Sequence, residues 1–195
     1  MGRSGEMTLK QLIAHYERGK YRRLAGEEAK AYRKLKPHLD VAIQNAVKFS
    51  PLDGRKHRHQ LRLPNHVLSE AQSKLLAAKE EIRAAKDFEA LHAIVQQQID
   101  QIGGVGVLAV YDIAHRLGAF RGKEPKVVYL HSGSAEGAAL LGFTGPTVDK
   151  KELPEAFSSL TCAEIEDFFC IYKKQLAGKS LAELKSMCFM SEDDD

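Results

Sequence analysis

Tryptophan is absent from the 195-residue chain, and cysteine occurs only three times, at Cys162, Cys170 and Cys188. The cysteines form no C-x-x-C pair, and an odd number makes no disulfide framework. A reducing compartment is therefore expected, and the localisation expected from it is cytoplasmic. No apolar run approaches the roughly 18 residues of a membrane span, which argues against an integral membrane protein. The opening MGRSGEMTLKQ has no apolar core ahead of a small-residue cleavage site, so a secretory signal is not expected. Six prolines and 15 glycines, without a period, exclude collagen-like and low-complexity classes. What is present is ordinary for a globular protein: 44% hydrophobic and 28% charged residues, in a chain long enough to bury a real core.

The net charge of +3 conceals an asymmetry. Residues 1–62 hold 15 basic and 6 acidic side chains, a balance of +9, while residues 63–195 hold 14 basic and 20 acidic, a balance of −6. A basic N-terminal third suggests a surface that faces a polyanion, with solvated lysine-rich helix faces as the plain alternative.

Apolar spacing predicts a mainly α protein. Leu9, Leu12, Ile13 and Tyr16 mark one helix, with Gly19 as its stop, and Ala29, Tyr32 and Leu35 mark another that Pro37 should end. Asp40 to Phe49 continues the pattern, and basic helices thus fill residues 7–49. The segment 50–64, SPLDGRKHRHQLRLP, reads instead as a turn or short hairpin with a basic tip. One helical stripe then runs over residues 65–85, and Asp87 is a good cap for the helix that follows. KVVYLH at 126–131 reads as a strand or extended connector. Ser132 or Ser134 can cap a helix reaching Leu141, and Thr161 can cap another. A short helix over LAELKSMCF completes C-terminal helices at 133–190, ahead of an acidic tail at 191–195. The expected organisation is a single helical domain over 1–190, with at most a small β element.

Ile99, Ile102, Gly104, Val105 and Gly106 stand in the order apolar-x-x-apolar-x-Gly-apolar-Gly between two predicted helices. This run resembles the helix-hairpin-helix motif of DNA repair and replication proteins. The resemblance implies a motif over about residues 87–120, with glycines free to take positive φ and backbone N–H groups open to a phosphate. Two departures are visible: Val110 fills the slot where alanine is usual, and Gly103 stands where proline is common. The wider resemblance is to helix-hairpin-helix DNA glycosylases, whose Val-Asp-Thr-His-like run compares with Val128-Tyr129-Leu130-His131. Tyr129 occupies the aspartate position, and Leu108 occupies that of the Schiff-base lysine. Neither can stabilise a sugar cation or attack it, which implies a non-catalytic relative. The stretch VYDIAHRLGAF with KVVYLHSGSAEGA is also similar to stretches of bacterial proteins, which hints at a bacterial origin.

Other groups have plainer readings beside the functional one. His57-x-His59 supplies two possible metal ligands, but the surrounding Arg55, Lys56, Arg58 and Arg62 repel a cation, so no metal is expected and phosphate contact is. Asp112 and His115 stand three apart on one helix and, with Tyr129 and His131, can make a polar pocket; the plain alternative is an Asp112–Arg116 pair. Ser132-Gly133-Ser134 carries no Walker lysine and no G-x-G-x-x-G pattern, so no cofactor is expected.

The sequence thus points to non-catalytic DNA binding through backbone phosphates, with little sequence preference, accessory to repair, recombination or a mobile-element process. The expected contacts are Arg55, Lys56, Arg58, Arg62, Gly104, Gly106 and Val107. Two alternatives stand beside it. One is a protein-interaction module that regulates a nucleic-acid enzyme through the acidic C-terminal region. The other is an enzyme built on Tyr129, His131, Asp112 and His115.

Overall fold

The computed structural model describes residues 7–177, and within them the chain is mainly helical. The helices are α1 (Leu9–Glu17), α2 (Lys20–Lys34), α3 (Leu39–Val47), α4 (Asn65–Ala77), α5 (Lys79–Ala84), α6 (Phe88–Ile99), α7 (Val107–Arg121), α8 (Ser132–Ala139) and α9 (Cys162–Leu176). The one sheet among the described residues pairs β1 (Val128–Tyr129) antiparallel with β2 (Thr147–Val148). Cys188, the helix expected over LAELKSMCF and the acidic tail lie outside the described residues. No helix among the described residues is long and apolar enough to cross a membrane.

The chain clusters into two compact units. The first takes residues up to Arg23 and from Lys126, and the second is Leu24–Pro125. The chain passes between them inside α2 and again after Pro125.

The first unit is organised by capped helices around an aromatic core. Thr8 Oγ1 accepts from Gln11 N and Gln11 Oε1 accepts from Thr8 N, a reciprocal box that starts α1. Thr161 and Glu164 do the same for α9. Leu12, Ile13 and Tyr16 of α1 bury with Phe157, Phe168 and Phe169. Tyr16 meets Phe168 edge-to-face at 6.0 Å. A Cβ on Gly137 would run into the Phe169 backbone, so α8 and α9 lie closer than any other residue permits there. The helix expected behind a Ser132 or Ser134 cap begins earlier, with Ser132 as its first residue. His131 is its extended N-cap, and Ser134 works inside the first turn, accepting from His131 N at 3.1 Å and donating to His131 O at 2.8 Å.

In the second unit, α3, α4, α6 and α7 pack around Ile43, Leu75, Leu91, Val95 and Leu117. The stripe expected as one helix over 65–85 is broken at Ala78, the shared boundary residue of α4 and α5. No local breaker marks that position; burial of Ala78 and Ile82 in the core sets it. Segment 50–64 does form the expected turn, but its tip is not basic. A Phe49–Lys56 bridge closes a turn over Asp53-Gly54, and most basic residues follow it, on the 3-10 segment Arg58–Arg62. Gly54, at φ +69, carries the tip of the turn.

Candidate functional site

The turn between α6 and α7 carries the sequence motif. Ile102 N donates to Ile99 O at 3.1 Å, and Val105 N donates to Ile102 O at 3.0 Å, which folds the chain back tightly. Ile99, Ile102 and Val110 are buried beneath it. Gly104 has φ +91, a conformation that costs an L-residue roughly 1–2 kcal/mol. Gly106 does not share it. With φ −105 and ψ 172 it is an ordinary extended N-cap, correcting the expectation that both glycines need positive φ. A Cβ on Gly103 or Gly106 would meet nothing within 4 Å. No side chain caps α7, and the N–H groups of Val107 and Leu108 meet no acceptor among the described residues. Val107 is 67% exposed. The result is an open, electropositive helix start that a polar oxygen can approach closely.

The basic segment is fastened beside this turn. His59 Nδ1 donates to Asp112 Oδ2 of α7 at 2.9 Å. Leu63 Cδ2 lies 4.0 Å from where a Gly104 Cβ would stand. Arg58, just before the first anchor, and Arg62, just before the second, are exposed and make no ion pair with another described residue. Arg55 is exposed 3.9 Å from Asp53. Lys56 differs from the expectation. Its ammonium donates to Leu63 O at 2.8 Å and reaches Asn65 Oδ1 at 3.5 Å, so it ties the segment down rather than standing open.

Under the segment runs a charged network that connects α2, α3 and α7. Arg116, with a side chain 10% exposed, donates to Ala46 O at 3.2 Å. Its guanidinium lies 3.5 Å from Asp112 and 3.6 Å from Glu28. With its amide turned to satisfy both ends, Gln60 donates to Val47 O at 2.9 Å and accepts from Arg116 Nη1 at 3.0 Å. His57 is buried, donates from Nε2 to Asn45 O at 2.8 Å, and has Nδ1 3.4 Å from Glu28 Oε1. Tyr32 Oη is 3.2 Å from His57 Nε2.

Protonation follows from these surroundings. Burial pushes His57 down to about 4, and Arg116 adds to the effect, so the ring is neutral at pH 7. Burial raises Glu28 against the pull of Arg116. Burial also pushes Asp112 upward, but the His59 hydrogen bond and the Arg116 charge outweigh it and hold the carboxyl low. The same bond raises His59. Asp112 is thus the fixed anion of the cluster.

The residues proposed for a polar pocket are distributed differently. Asp112 pairs with His59 and, at i, i+4, with Arg116. His115 stacks on Tyr111 with centroids 5.7 Å apart, and burial lowers its pKa. Tyr129 and His131 belong to the first unit. Tyr129 pairs with Thr147 across the ladder, and His131 Nε2 lies 3.7 Å from Glu166 Oε1. No group of three His, Cys, Asp or Glu suited to a metal exists among the described residues.

Sequence reasoning missed Glu28, Tyr32, His57 and Gln60 as members of this cluster. In sequence Tyr32 reads only as part of an apolar face, and His57 as half of a possible metal or phosphate site. One local signal was available: His57 and Gln60 stand three apart, the period that puts two side chains on one face of a 3-10 turn.

No family model, no curated protein and no solved structure matches this chain.

Proposed function

We propose that the second unit binds DNA through its phosphate backbone, without catalysis and with little sequence preference, in the manner of the helix-hairpin-helix proteins its turn resembles. The observation that carries the reading is the attachment of the basic segment to the glycine turn. The His59–Asp112 bond and the Leu63–Gly104 approach hold the segment that carries Arg58 and Arg62 against α7 and the glycine turn. Backbone N–H groups of Val107 and Leu108 hold one phosphate oxygen, and the arginines hold neighbouring phosphates. No base-reading side chain is needed, so affinity is electrostatic and salt-dependent. An accessory role in repair, recombination or a mobile-element process suits such a module.

The test is a titration against duplex and single-stranded DNA at several salt concentrations. Arg58→Ala with Arg62→Ala should flatten the log–log salt slope on duplex by about 1.8, for two phosphate contacts. Gly106→Ala isolates the turn. Its extended φ and open surroundings keep the fold, so lost affinity reports blocked phosphate approach. Parent-like binding by both folded variants would overturn the reading.

A further inference from the structure

We infer that His59 is itself a phosphate ligand, oriented by Asp112, and that its proton makes DNA binding stronger in mildly acidic solution. This rests on the DNA-binding reading above and identifies its regulation. The argument begins with geometry. Asp112 Oδ2 accepts from His59 Nδ1 at 2.9 Å, which fixes the ring and its tautomer. The imidazole is 50% exposed, while the Asp112 side chain is 15% exposed. One edge of the ring is therefore held from below. Nε2 meets no hydrogen-bond partner among the described residues.

Position adds the second part. His59 stands one residue after Arg58 and three before Arg62, on the 3-10 segment whose end abuts Gly104. A phosphate held by these arginines lies within the field of the ring. With the ring neutral, Nε2 offers a lone pair and repels phosphate oxygen. Once protonated, Nε2–H is a charged donor, and the same atom binds that oxygen.

The charges around the ring are mixed. Asp112 and Arg116 face it from α7, Arg58 adjoins it on its own segment, and Glu28 of α2 is close enough to feel it. The hydrogen bond to Asp112 is the largest influence and favours the charged ring. Burial, Arg116 and Arg58 oppose it. The ring therefore takes up a proton more readily than a free histidine, and a bound phosphate favours that proton further. Proton uptake and DNA binding thus reinforce each other.

The experiment is a fluorescence anisotropy titration of labelled duplex DNA, at fixed ionic strength, from about pH 6 to about pH 8.5. The wild type should bind about tenfold more tightly at the acidic end, the value of one charge-assisted contact. His59→Gln should be flat across the range. His66→Gln, which alters an exposed histidine on α4, should keep the wild-type profile. Asp112→Asn, which still accepts from Nδ1 but removes the charge, should move the midpoint to lower pH. The wild-type profile and His59→Gln decide the matter even if Asp112→Asn fails to fold. Salt-dependent DNA binding with a flat wild-type profile, or a slope that survives in His59→Gln, overturns this inference and leaves the DNA reading standing. No binding at about pH 6 in low salt overturns both.

Discussion

Replacing Arg116 with methionine tests whether the charged network is a coupled unit. The guanidinium is 10% exposed and serves Ala46 O, Asp112 and Glu28 at once. Asp112, at 15% exposed, cannot regain full hydration when its partner leaves. Removing one member of such a buried pair costs about 3–5 kcal/mol, because the remaining charge stays desolvated. Methionine restores some apolar contact, and His59 still donates to Asp112, so the low end, about 3 kcal/mol, is expected. Glu28 adds little to that cost. Its carboxyl is already raised by burial and can take up a proton once Arg116 is gone. The assay is urea denaturation followed by far-ultraviolet circular dichroism, since the chain has no tryptophan. In the wild type, the depressed pKa of Asp112 contributes stability above the carboxylate's unfolded value, and this is lost as pH falls through the folded one. In Arg116→Met that contribution shrinks, because only His59 is left to hold the carboxyl low, so the gap between the two proteins should narrow on acidification. Adding Asp112→Asn should recover about 1–2 kcal/mol of the loss, the range of contacting pairs. A cost below about 1 kcal/mol at pH 7, or no recovery in the double variant, would refute the coupling.

Gly137→Ala should destabilise by more than about 1–3 kcal/mol, because the new methyl meets the Phe169 backbone, which cannot rotate away; thermal melts measure this. Leu75→Ala, fully buried, should cost about 2–5 kcal/mol yet leave the DNA affinity of the folded fraction intact. Thr161→Ala removes the α9 cap and should cost about 1 kcal/mol in the same melts. His57 is charged in the unfolded chain below about 6.5 but resists protonation in the fold until about 4. Its contribution to stability should therefore fall as pH drops from about 6.5 to about 4 and then level off, a dependence that His57→Gln should lack.

Local rules carried much of the architecture. Asp87 reads as a cap in sequence and is one, its Oδ1 accepting from Ala90 N at 2.9 Å. Thr161 behaves the same way. The spacing of Ile165, Phe168, Phe169 and Tyr172 marks a buried helical face because a helix repeats every 3.6 residues whatever lies opposite. The Asp112–Arg116 pair follows from the same geometry. Features that join distant segments were not legible. His57 sits among arginines in the chain, yet its ring turns inward to Asn45 O and Glu28. Lys56 counts as one more positive charge until Leu63 O is placed beside it. Gly106 has the motif's identity but not the backbone conformation that identity suggests. The break at Ala78 has no breaker residue, so only the packing of Ile82 reveals it.

The order in which the two units close has a consequence for synthesis. The first unit needs α1, whose Tyr16 donates to Asp167 Oδ2 at 3.0 Å, and α9, which begins at Cys162. Every residue of the second unit is made between them. On a ribosome adding roughly 5–20 residues per second, α1 waits on the order of ten seconds for its partner. The second unit, continuous in sequence, has all its parts in hand before the first unit has its last helix. During that interval Leu9, Leu12, Ile13 and Tyr16 form an amphipathic stripe without a core to join. Until α9 is made, the nascent chain therefore leaves this stripe without the aromatic residues that bury it.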